Sequence, residues 1–107
     1  AKDERALCNW AAALCARAEL VDEGNPKAAA QLYSSAVDKY EAVLEEQPRL
    51  VPALKSCGIA LRSLAMCKPR NDPDAEALLE DAIYSLEAAM TERPDDLSIR
   101  DELREAR

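Results

Sequence analysis

The stretch ALCNWAAALCARAEL, Ala6 to Leu20, sets the only Trp of the chain among six alanines and two cysteines. Its apolar residues Leu7, Trp10, Ala11, Leu14 and Ala18 recur at the spacing of one face of an α-helix. Moving the chain by 47 positions lays this row on a second one: Leu7 on Leu54, Trp10 on Cys57, Ala11 on Gly58, Leu14 on Leu61, Ala18 on Ala65. A shift of 46 does the same for the segments that follow, placing Leu32 on Leu78, Ala36 on Ala82, Val37 on Ile83, Tyr40 on Leu86 and Pro48 on Pro94. The difference of one residue falls in a loop. The pattern is that of a repeat array.

Breaks in the pattern fix the helix ends. DEGNPK closes the first apolar row, and Asn25-Pro26 reads as an N-cap followed by Pro at the first helical position. Pro48 to Pro52 makes the next break, KPRNDPD the third, with Asp72-Pro73 repeating the cap-then-proline device, and Pro94-Asp95-Asp96 the fourth. Five helices are expected, over 3–22, 26–46, 51–67, 73–92 and 96–106. The fourth carries Leu78, Leu79, Ala82, Ile83, Leu86, Ala89 and Met90 on its stripe, the fifth Leu97 and Leu103. No strand-like alternation competes, and short loops call for antiparallel neighbours.

Composition bounds the function. A chain of 107 residues is one domain, and its Ala, Leu and Glu with two Gly and no Phe favour helix. Net charge is −7, from 21 acidic and 14 basic residues, which argues against a phosphate backbone or an anionic membrane surface as partner. No window is apolar over the length of a membrane span. The chain opens on Ala and reaches Arg107 inside a helical run, as a processed product or a fragment would. Cys8, Cys15, Cys57 and Cys67 form no CxxC pair, and there is no His to complete a zinc site. On one helix Cys8 and Cys15 stand about 10 Å apart along the axis, too far for a disulfide. Reduced thiols and a reducing compartment, cytosol or organelle, are expected; a bridge made by Cys57 or Cys67 is the alternative. No catalytic residue, metal, cofactor or small-molecule substrate is expected. A Ser/Cys–His pair and a Gly-rich phosphate loop are both missing.

These residues resemble the tetratricopeptide repeat family. Its signature runs through Leu7, Trp10-Ala11, Leu14, Ala36, Tyr40, Val43 and Pro48 in the first copy, and through Leu54, Cys57-Gly58, Leu61, Ala82, Leu86, Ala89 and Pro94 in the second. The departure is length: the helices are longer at the loop inside each pair than in the usual 34-residue unit. The resemblance implies an all-α, right-handed superhelix of two extended pairs, 3–48 and 50–94, with a capping half repeat at 96–107. Ala11 and Gly58 are expected to let the helices of a pair close on Ala36 and Ala82, with Trp10 filling the core space this leaves. Cys57 has less volume for the same slot, so Leu79, Ile83 or Met90 should fill in. The long-helix form is similar to the plant-type import receptors of the outer mitochondrial membrane, which implies organelle import as a special case.

By the same resemblance the inner face is lined by the first helix of each pair. It offers Cys8, Ala12 and Cys15, then Lys55, Ile59 and Arg62, a hydrophobe between two cations at i, i+4 and i+7. Such a strip suits an amphipathic helix or extended peptide with a Leu and an acidic residue. Small side chains at Ala12 and Cys15 leave room for a bulky one from a partner. Reversing the charges of Lys55 and Arg62 is expected to weaken partner capture and leave melting unaltered. Ala12, Asp101 and Glu105 stand where a clamp for acidic chaperone tails needs Asn and cations, so that role is excluded. The expected function is a non-catalytic protein–protein interaction module or scaffold subunit of a larger assembly. The alternative is a plant- or algal-type organelle import receptor domain for amphipathic presequences.

Overall fold

A computed structural model describes residues 4–21, 24–69 and 71–107. Among them the chain is all-helical: α1 (Glu4–Val21), α2 (Pro26–Glu46), α3 (Val51–Met66), α4 (Pro73–Glu92) and α5 (Leu97–Ala106). Residues 3 and 22, the expected ends of the first helix, lie outside the described residues, as does residue 70 in the third break.

The starts follow from side-chain capping. The Ala28 amide donates to Asn25 Oδ1 at 3.1 Å, the Asp74 amide to Asp72 Oδ1 at 2.9 Å, and the Ser98 amide to Asp96 Oδ1 at 2.9 Å. Each cap satisfies a first-turn donor that the helix itself cannot. The ends of α2 and α4 are copies of each other. Gln47 and Arg93, each followed by Pro, leave the helical region at φ/ψ of −132/80 and −134/74. Their carbonyls then accept from the amides of Leu50 and Asp96, both at 3.2 Å. The duplication read from side chains thus extends to backbone turns.

Each helix packs on the one before and the one after, with the closest association inside the pairs α1–α2 and α3–α4. The stack measures 34 × 31 × 21 Å, two helix layers thick. Its core runs across the layers. Ala11, Ala36, Val37, Tyr40, Cys57, Ala60, Leu61 and Ala82 form one cluster; Ala18, Ala29, Tyr33 and Leu64 form a second toward the loop inside the first pair. Leu54, Ala89 and Ile99 join α3, α4 and α5.

The tight crossing of α3 and α4 explains Gly58. A Cβ there would stand 2.6 Å from Leu86 Cγ and 3.2 Å from the Ala82 carbonyl, inside contact distance for both. Ala11 holds the equivalent place with no exposure, in the cluster that contains Ala36 and Tyr40. Tyr40 and Leu86 are both buried.

Two core assignments need correction. Trp10 is not a core filler: it is 56% exposed, with Lys39 Nζ 3.8 Å from its ring centroid. No described helix lies over that side of α1. On α5 the buried residue is Ile99, while Leu97 is 65% exposed, because Asp96 caps the helix and turns Leu97 outward at its first position.

Candidate functional site

The strip from the sequence is assembled, and the protein itself occupies it. Lys55 Nζ donates to Ser98 Oγ. Arg62 Nη1 lies 2.8 Å from Glu102 Oε2 and 3.3 Å from Glu105 Oε2, with the Arg62 side chain only 19% exposed. Ile59 between them is half-buried. The amphipathic helix with acidic residues that this strip suits is α5. On α1, Cys8 and Cys15 are half-buried against the Tyr40 cluster, and only Ala12 is open. Burial, then Glu4 and Glu19 respectively, raises the thiols of Cys8 and Cys15, so neither is activated. No disulfide joins any of the four cysteines.

A different opening lies on the other side of α3. The helices α2 and α4 do not pack on each other, and between them runs a groove of about 370 Å³. Its floor is apolar: Leu54, Cys57 and Leu61 of α3. One wall is Glu41 and Leu44 of α2, the other Asp81, Tyr84 and Ser85 of α4. Tyr84 stands at the lip, 76% exposed. The volume is that of a small binding cleft.

Two of the three side chains expected to close this space, Ile83 and Met90, sit elsewhere. Ile83 packs with Leu86, Leu103 and Ala106, and Met90 with Leu54, Ala89 and Ile99. The small Cys57 thiol, between Leu54 and Leu61, leaves this volume open above it. Ser85 Oγ donates to the Leu54 carbonyl at 2.7 Å, so the buried hydroxyl of the α4 wall is satisfied. Burial, with the charges of Glu41 and Asp81, pushes the Cys57 thiol up to about 12, which makes it a small hydrophobe.

The rim is negative. Burial and the charges of Asp38, Asp81 and Glu45, in that order, raise the Glu41 carboxyl above its usual range. Glu41, Asp81, Asp38 and Glu45 make no ion pair with any described residue. The helix behind the rim adds to this: α4 carries Asp74, Glu76, Glu80 and Asp81 and no Lys or Arg, while its Glu87 and Glu92 are paired with Arg107 and Arg49. Among the described residues, no group of three or more Cys, Asp or Glu is placed to hold a metal ion. No helix is long and apolar enough to cross a membrane.

The groove was not foreseen as a site. Its signal in the sequence was the thiol at 57 where the first copy has an indole. Comparison of the chain with known protein families, curated proteins and solved structures returns no match.

Proposed function

We propose that this chain is a non-catalytic protein-interaction module that seats a helical or extended segment of a partner in the groove between α2 and α4, alone or as a subunit of a larger assembly. The supporting observation is the combination of an apolar floor with a rim of carboxylates that no described cation neutralises. Such a rim favours a segment with Lys or Arg around an apolar side chain. Descent from the tetratricopeptide repeat family is part of the same reading, supported by the copied turns after Gln47 and Arg93. Four cysteines without a disulfide support a reducing compartment, cytosol or organelle. The second reading, an organelle import receptor for amphipathic presequences, is favoured by the same acidic rim, since such presequences are basic.

The test is fluorescence anisotropy with two labelled peptides, an amphipathic Leu/Arg helix and its Leu/Glu counterpart. The Leu/Arg peptide should bind and the Leu/Glu peptide should not. Glu41→Lys with Asp81→Lys should cost about tenfold or more in affinity, on the order of two lost charge contacts. Binding should weaken on acidification, because a carboxyl raised above its ordinary value takes up its proton at higher pH than a free Glu. Equal binding of the two peptides, or no effect of the double change, rejects the groove. A basic peptide without helical amphipathicity that binds equally well rejects the presequence reading alone.

A further inference from the structure

We infer that the uncovered side of α1 is the interface of a symmetric dimer of this chain. The inference starts from the row that beds α3 against the first pair. Ala53, Cys57, Ala60 and Leu64 recur at i, i+4, i+7 and i+11, and they are 0%, 3%, 1% and 8% exposed. Cys57 and Ala60 pack with Ala11, Val37 and Tyr40, and Leu64 with Ala18, Ala29 and Tyr33. At the equivalent places, 47 residues earlier, α1 presents Ala6, Trp10, Ala13 and Arg17, all exposed. Leu20, the next residue of this row, is 86% exposed. The row has the form of a helix-packing surface: two alanines for close approach, separated by an indole. In α3 that surface is covered; in α1 it is bare.

Three features point to a second copy as the cover. The row is self-complementary, as a two-fold interface must be. With two α1 helices antiparallel about a point between Ala13 and Leu14, residue 10 of each faces residue 17 of the other. Each indole then meets an arginine, and Ala13 of each copy lies at the centre. The indole is already used in this way from one side, by Lys39 at 3.8 Å, and more than half of it remains open. Charge supplies the third feature. Described α1 carries Glu4 and Glu19 against Arg5 and Arg17, with no net charge, in a chain of −7. Two copies meet here with far less repulsion than across α4.

One helix per copy, about 27 Å long, buries less than the roughly 800 Å² per partner of a standard interface, so the dissociation constant should be on the order of 10 to 100 µM. Sedimentation equilibrium across that range tests it. The mass should rise from one chain to two, and the Trp emission should shift to the blue with it. Ala13→Arg places two cations at the two-fold axis and should leave a monomer with unchanged circular dichroism and melting, since Ala13 is exposed. Glu41→Lys with Asp81→Lys, at the groove, should dimerise as before, which separates this interface from peptide docking. A chain that stays monomeric to about 1 mM overturns the inference. So does an Ala13→Arg variant that dimerises with an unaltered constant, or a dimer lost only in the groove variant.

Discussion

The helices α1 and α3 hold equivalent places in the duplicated pattern and have opposite surroundings. Eight residues of α3 are buried along its 16, on faces turned to α2, α4 and α5. In α1, two residues of 18 are buried, both on the side of α2. The shared row Leu-x-x-x-small-x-x-Leu therefore specifies helix and pairing in both copies, but burial only where neighbours stand on both sides. In a stack of this kind the position along the array decides how much a side chain contributes, as much as its type does.

Matched substitutions sharpen the contrast. Leu61→Ala, at a buried site of the main cluster, should cost about 2–5 kcal/mol by urea titration. Leu14→Ala at the equivalent half-buried site should cost about 1 kcal/mol. Equal losses would break the comparison. Next in size is the charge reversal Lys55→Glu with Arg62→Glu. It sets like charges against Glu102 and Glu105, so α5 should loosen and stability should fall by about 1–2 kcal/mol. Unaltered melting, the outcome expected from sequence, would mean that the strip is open to partners after all. The smallest effect belongs to Trp10→Ala. With the ring more than half exposed, the loss should stay below about 1 kcal/mol, against about 3–5 kcal/mol for a Trp in a core.

Helix number and limits were legible because the signals are local. Asn25, Asp72 and Asp96 cap where their side chains reach a first-turn amide, and Pro48 and Pro94 stop the helices before them. The close crossing at Gly58 and the burial of Ala11, Ala36 and Ala82 were legible from the repeat, since small residues at fixed spacing have few other uses. The fate of Trp10 was not, because periodicity gives the direction of a side chain and not what lies beyond it. The groove escaped for a related reason. An unfilled volume at Cys57 depends on where Ile83 and Met90 turn, and both turn toward α5. The strip of Lys55, Ile59 and Arg62 was read correctly as one face, but its occupant, α5, was already in the chain.

The hydroxyl of Ser85 ties the second pair together at its deepest point, reaching across to the carbonyl of Leu54. On the first pair the Tyr40 hydroxyl of α2 interacts in the same sense with Ser56 of α3, while α2 and α4 stand apart over the floor. The two jaws are thus each fixed to the floor and not to each other. Accommodating a bulkier guest is a matter of parting α2 from α4, and amide protons of α1, with two buried residues, should trade with solvent sooner than those of α3, with eight.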